Sequence, residues 1–117
     1  MYPKIKATTI AKLASGKLAT DIVLLGIKKL SSVADYLVIV SAGSERQVSA
    51  IAEEITDGLK KKGQVPLGVE GIKEGRWALV DYGDVVAHVF TEGARAYYDL
   101  DGLWADAERT EIEETGA

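Results

Sequence analysis

The spacing of hydrophobic residues predicts one long amphipathic helix in the first half of the chain. From Glu45 to Lys62, apolar residues recur at steps of three and four and form a single stripe, which consists of Val48, Ile51, Ala52, Ile55 and Leu59. Ser44 stands at the expected N-cap, and Gln47 follows three residues later, as in a capping box. Gly63 then supplies a left-handed stop. These signals predict both ends of the helix.

Other segments have the patterns of β-strands. Two uninterrupted apolar runs, Asp21 to Ile27 and Asp35 to Gly43, are typical of strands buried on both faces. The segment around Pro66 predicts a weak edge strand, because proline cannot donate to a strand ladder. The stretches RWALVD (76–81) and VVAHVF (85–90) predict two strands joined by a short turn.

A helix from Pro3 to Ser15 and another beginning near Thr91 complete the predicted elements. The order α-β-β-α-β-β-β-α predicts a single α/β domain of the mixed α+β type, with about five strands in a mixed sheet and three helices packed on it. At 117 residues the chain has room for one ordinary domain. We expect this domain to span residues 1–107 and an acidic tail to follow at residues 108–117.

Charge and composition narrow the function. The net charge is −4, cysteine is absent and there is one histidine, so thiolate metal sites are excluded and the usual zinc sites lack ligands. No apolar run approaches the roughly 20 residues that cross a bilayer, and a cytoplasmic protein is expected. An acidic balance favours a protein or small-molecule partner over nucleic acid, although short basic segments leave local patches open.

The predicted hairpin gathers two aspartates and the histidine. A two-residue loop at 82–83 would place Asp81 opposite Asp84 and Trp77 opposite His88. Along a strand, however, His88 lies about 13 Å from Asp84, too far for a shared metal ion or a direct acid–base pair. Two interpretations of the aspartates remain: they cap N–H groups of the turn, or a basic partner neutralises them. His88 is interpreted as a half-buried packing residue.

The last predicted helix carries two stripes. The stripe expected to pack consists of Leu100, Leu103 and Trp104, and the more polar stripe consists of Arg95, Tyr98 and Asp101. Arginine, tyrosine and tryptophan anchor many protein interfaces but are also common in cores. The positions of these residues in the sequence do not show whether they lie in an interface or in the core.

The Gly43–Ser44 junction between strand and helix supports an alternative hypothesis, a nucleotide-binding or nucleotidyltransferase-like enzyme. The junction lacks the Gly-Lys-Ser/Thr of a P-loop and the three glycines of a dinucleotide fingerprint. No nucleophile elbow or second histidine accompanies it. The residues themselves therefore indicate no catalytic set, cofactor or metal.

Several stretches in order resemble the ribosomal silencing factor family, also called RsfS or Iojap-like. They are DYLVIVSAGSERQVSAIAEEI, VEG, RWALVDYGDVVAHVF and RAYYDLDGLWADA, and the resemblance runs from about Asp21 to Ala107. Asp101 stands where glutamate is expected in the family's Leu-Glu-x-Leu-Trp pattern.

This resemblance implies a fold similar to nucleotidyltransferases without their activity. It also implies a translational repressor that binds the large ribosomal subunit through a basic ribosomal protein of the L-fourteen type and blocks the small subunit from joining. We expect no enzyme activity, no cofactor, and no binding to DNA or to a membrane. We also expect that the free protein can form a homodimer. The residues we predict at the partner interface are Trp77, Asp81, Tyr82, Asp84, His88, Arg95 and Tyr98.

Overall fold

The computed structural model describes residues 1–113, which form a six-stranded mixed sheet with helices on both faces. In chain order the elements are α1 (Pro3–Gly16), β1 (Thr20–Gly26), β2 (Tyr36–Ala42), α2 (Glu45–Lys60), β3 (Gly68–Glu70), β4 (Trp77–Asp81), β5 (Val85–Thr91), α3 (Glu92–Tyr98), α4 (Leu100–Leu103) and β6 (Glu108–Glu111). The strand order is β3-β4-β5-β2-β1-β6. Only β2 and β5 pair in parallel, with α2 in the crossover between them.

One face of the sheet is covered by α1 and α2. The buried stripe of α2 is the predicted one, Val48, Ile51, Ala52, Ile55 and Leu59. The two helices approach closely where Leu13 lies against Gly58, since a Cβ at position 58 would be 2.6 Å from Leu13 Cδ1. The larger of the two hydrophobic cores lies on this face, between the sheet and the two helices.

The opposite face carries a smaller core and a partial cover. The side chain of Thr91 accepts a hydrogen bond from Ala94 N–H at the start of α3. Asp99 then adopts a left-handed conformation with φ of 47° and caps α4 by accepting from Gly102 N–H. The third predicted helix is thus two short ones. Beyond them, Trp77, Leu79 and Asp81 of β4 stay partly open to solvent, whereas β5 is buried from Val85 to Phe90.

The mixed α+β fold predicted from the sequence is confirmed, with one strand more than expected. β6 lies within residues 108–117, predicted as an acidic tail, and pairs antiparallel with β1 from Gly26 to Val23. Residues 114–117 of that predicted tail lie outside the described residues. Within residues 1–113, no helix is long and apolar enough to cross a membrane.

Candidate functional site

The β4–β5 hairpin has a different register from the predicted one. Trp77 pairs with Phe90, and the loop residues are Gly83 and Asp84, one position later than expected. Gly83 has a φ of +85° at the first central position of the turn. A two-residue hairpin turn of type II′ requires glycine there, whereas the predicted loop would have placed Tyr82 at that position. The prediction that the two aspartates oppose each other was therefore wrong.

Both aspartates of the hairpin are engaged within the protein. The Asp81 carboxylate accepts a hydrogen bond from Gly83 N–H at 2.7 Å. Asp81 therefore caps the turn, in agreement with the first of the two interpretations. Asp84 accepts from the ammonium group of Lys6 at 2.8 Å and forms an ion pair with it. Lys6 belongs to α1 and is buried, so this ion pair ties the first helix to the tip of the hairpin.

The sequence predicted Tyr82 in the loop at the tip of the hairpin, but the structure places it elsewhere. It is buried on the helix-covered face of the sheet and packs in the larger core. Burial raises the pKa of its hydroxyl to about 12. The hydroxyl oxygen has no hydrogen-bond partner among residues 1–113, and the ammonium group of Lys6 lies 5.6 Å from the ring centroid. The loop register explains the error, because it turns position 82 towards α1.

Trp77 and His88 are joined by a hydrogen bond on the partly open face. The indole N–H of Trp77 donates to Nδ1 of His88 at 3.0 Å. Burial lowers the pKa of His88 to about 4, against the opposing effect of the Asp81 charge. The imidazole is therefore neutral near pH 7, as an acceptor at Nδ1 must be. His88 is a packing residue, more deeply buried than the sequence indicated, and it lies opposite Leu79.

Five rings form an aromatic cluster on this face: Trp77, His88, Phe90, Tyr97 and Tyr98. The Trp77 ring lies 5.0 Å from that of Phe90 and 4.6 Å from that of Tyr98, centroid to centroid. Tyr97 meets Tyr98 edge to face at 5.1 Å. The cluster runs from buried Phe90 outwards to Tyr97, which is 79% exposed. Tyr97 was not singled out from the sequence, although its place in the Tyr-Tyr pair beside predicted Tyr98 could have suggested it.

Arg95 holds the short helices against the sheet from within. Its guanidinium group donates to both oxygens of Asp101, at 3.0 and 3.1 Å, and a further nitrogen donates to the hydroxyl of Ser41 at 3.0 Å and to the backbone oxygen of Asp21. Burial acts to raise the pKa of the Asp101 carboxyl, but the hydrogen bond and charge of Arg95, aided by Arg109, hold it below its usual value. Arg95 is thus placed to support the surface.

The predicted packing stripe of the last helix is only partly correct. Leu100 and Trp104 pack against the smaller core. Leu103 was expected beside them but is 72% exposed. The left-handed residue Asp99 resets the helix phase between α3 and α4, which rotates Leu103 into solvent.

The Gly43–Ser44 junction has its polar groups already occupied. Ser44 accepts from Gln47 N–H at 3.1 Å, and the side-chain oxygen of Gln47 accepts from Gly43 N–H at 2.7 Å. The amide nitrogen of Gln47 donates to the carbonyls of Lys17 and Leu18, so Gln47 also fastens the α1–β1 turn. The loop before β4 covers the same helix start, since a Cβ on Gly75 would lie 2.6 Å from the Glu45 carbonyl oxygen. This geometry gives the nucleotide hypothesis no support.

The part of the chain that the structure describes contains no cluster of metal-ligating side chains. No group of three or more His, Cys, Asp or Glu side chains there could hold an ion.

Comparison with known proteins gives a consistent match. The family model described as "Ribosomal silencing factor during starvation" matches residues 2–117. The ribosomal silencing factor RsfS of Bacillus subtilis is 45% identical over 97 residues, covering 83% of this chain and 82% of that protein. A crystal structure of a Chromobacterium violaceum protein superposes with a TM-score of 0.88 at 31% identity, covering 98% of this chain and 97% of that one. Another, from Bacillus halodurans, has a TM-score of 0.77 at 36% identity, covering 91% and 94% of the two chains.

Proposed function

Because the chain belongs to the ribosomal silencing factor family, we propose that it binds the large ribosomal subunit and prevents the small subunit from joining. The contact is with a basic ribosomal protein of the L-fourteen type. Silencing results from occupancy of the joining surface, without a chemical reaction or a cofactor, and takes place in the cytoplasm. The observation that carries this proposal is the aromatic cluster on the partly open face of the sheet.

The aromatic cluster has the composition of an interface anchor. Trp77 is half-buried, and Tyr98 is 43% exposed above it. Tyrosine and tryptophan supply large contact areas with little loss of side-chain entropy, and hot spots are enriched in both. The hydrogen bond from Trp77 to His88 fixes the indole before a partner arrives. A pre-organised aromatic surface reduces the entropic cost of association.

Charge supports a basic partner. Helices α3 and α4 lie on the same face as the aromatic cluster, and residues 92–103 carry three carboxylates against one arginine, Arg95. Complementary charge speeds encounter and selects against acidic partners. A basic ribosomal protein fits this surface better than bare RNA would.

The predicted interface residues divide into two roles. Trp77 and Tyr98 contact the partner directly, and Tyr97 joins them because its ring is exposed and packed on Tyr98. The others are already engaged inside the protein and shape the surface from beneath; they are Asp81, Tyr82, Asp84, His88 and Arg95.

The test is the affinity for purified large subunits. Tyr97→Ala with Tyr98→Ala should weaken binding by tenfold or more, since removing a hot spot costs about 2 kcal/mol. Val65→Ala with Leu67→Ala is the matched control, because these side chains are 70% and 78% exposed near the edge strand β3. Equal affinity of the two double variants would remove the aromatic cluster from the interface.

The same surface provides the contact for a homodimer of the free protein. A half-open aromatic patch gains from being covered by any complementary apolar surface, including its own copy. Sedimentation velocity over a range of concentrations measures this association. The tyrosine double variant should stay monomeric at concentrations where the unmodified protein dimerises.

A further inference from the structure

Positive charge is concentrated at the start of the chain, although the protein as a whole is acidic. Residues 1–33 contain six lysines and a single carboxylate, Asp21. Lys6 is buried in its ion pair with Asp84, and the other five lysines are exposed. None of those five takes part in an ion pair among residues 1–113. This part of the protein therefore presents free ammonium groups to solvent.

Three of these lysines line one cleft. It lies between the start of α1 and the β1–β2 loop, has a volume of about 560 Å³, and includes Lys4, Lys28 and Lys29 together with Tyr2 and Tyr36. Tyr2 is largely exposed and Tyr36 is half-buried, so both rings are accessible from the cleft. The cleft meets β2 at Tyr36, which pairs with Val85 of β5, whereas Phe90 of the aromatic cluster pairs with Ser41, five residues further along β2. At about 3.3 Å per residue the two sites are about 16 Å apart along the strands, so an occupant of the cleft would not compete for the aromatic cluster.

We propose that this cleft binds an unpaired nucleotide of the RNA of the large ribosomal subunit. The inference rests on the proposed function, which brings the protein to an RNA-rich surface. The three ammonium groups would neutralise phosphates, which supplies most of the affinity of proteins for RNA. The tyrosine rings would stack on an exposed base, as aromatic side chains do in single-strand recognition.

The carboxylates of the cleft favour RNA over an acidic protein. Asp35, Asp106 and Glu108 line it alongside the lysines. They would repel a phosphate as well as the side chains of an acidic peptide, so only a ligand that carries hydrogen-bond donors beside its anionic group fits next to them. They can accept hydrogen bonds from ribose 2′-hydroxyls and from the exocyclic amines of unpaired bases, groups that a nucleotide carries next to its phosphate. Lysines, carboxylates and tyrosines thus each meet a different part of one nucleotide.

The experiment measures binding to purified large subunits over a series of salt concentrations. The cleft variant is Lys4→Ala, Lys28→Ala and Lys29→Ala, and the control is Lys60→Ala, Lys61→Ala and Lys62→Ala. The control removes three exposed lysines at the end of α2, with the same change of charge. The cleft variant should bind about tenfold more weakly, and its slope of log K against log salt should fall by about 2, at roughly 0.7 per phosphate contact. The control should keep the slope of the unmodified protein.

Two further arms separate this inference from the proposed function. A short single-stranded RNA should bind the unmodified protein more tightly than a duplex of the same length, and should lose affinity with the cleft variant. The isolated basic ribosomal protein should bind the cleft variant at least as well as the unmodified chain.

A cleft variant that matches the control in both slope and affinity for subunits overturns the RNA contact and leaves the proposed function intact. Weaker binding without a change of slope also overturns it, because the lysines would then contact something other than phosphate. If the unmodified chain fails to bind large subunits at all, the proposed function fails. The arm with single-stranded RNA then still decides whether the cleft binds RNA.

Discussion

Substitution of Asp84 tests whether the tip of the hairpin docks a partner or stabilises the fold. In the structure its carboxylate lies 2.8 Å from the ammonium group of Lys6, whose side chain is 8% exposed. Asp84→Asn keeps the size of the side chain and removes the charge. The variant leaves Lys6 charged, buried and without its anionic partner. We therefore expect a loss of stability and little loss of binding to large subunits.

The size of the effect follows from the burial of the pair. A hydrogen bond to a charged group contributes about 1.5–3 kcal/mol. Asp84 is 31% exposed, so solvent screens part of the interaction and about 2 kcal/mol is expected. For 117 residues the unfolding entropy is about 0.25 kcal/mol/K near the midpoint, which converts this loss into a fall in Tm of about 8 °C.

Thermal unfolding of three proteins provides the assay: the unmodified chain, Asp84→Asn, and Asp84→Asn combined with Lys6→Met. The combined variant removes both charges and should recover at least half of the lost stability, because no buried charge is left uncompensated. Large-subunit affinity of the folded variants should stay within about twofold of the unmodified protein. An Asp84→Asn variant that melts normally but binds subunits poorly would show that Asp84 contacts the partner and not that it stabilises the fold.

Two further predictions concern His88 and Gln47. Because burial lowers the pKa of His88 from 6.5 to about 4, the unfolded chain binds more protons in that window, and stability should fall by about 3 kcal/mol as pH drops from 6.5 to 4. Urea unfolding should show this slope, His88→Phe should flatten it, and equal slopes in both proteins would contradict the assignment. Gln47→Glu turns a carboxylate towards the carbonyls of Lys17 and Leu18, and because these hydrogen bonds are open to solvent we expect a loss of about 1 kcal/mol by the same assay. Gln47→Met is the control, and a Gln47→Glu variant as stable as the unmodified chain would count against this cross-link.

The helices and central strands could be predicted because their patterns arise from burial. The predicted limits of α1 and of β1 and β2 agree with the structure within about two residues. The predicted buried stripe of α2 and its predicted N-cap, Ser44, are both confirmed. A helix buried on one side requires apolar residues at steps of three and four, and this spacing is visible in the sequence. Gln47 behaved differently from a capping box, because it accepts from Gly43 and donates to the α1–β1 turn, which is distant in sequence.

The errors arose where a long-range contact or a turn preference decides the structure. β6 is exposed along its whole length and has no alternation of its own, so its strand state comes from backbone pairing with β1. The hairpin register differs from the predicted one because the turn requires glycine at its first loop position, which Gly83 occupies. The same shift turns Tyr82 into the core and brings Asp84 to Lys6, which lies 78 positions away.

Subunit joining reports directly on whether the protein keeps the two ribosomal subunits apart. Purified large and small subunits are mixed with increasing amounts of the protein, and joined ribosomes are separated from free subunits by sedimentation. We predict that saturating protein leaves the subunits apart and co-sediments with the large one, and that Tyr97→Ala with Tyr98→Ala needs at least tenfold more protein for the same effect. Full joining at saturating protein would show that the protein does not keep the subunits apart.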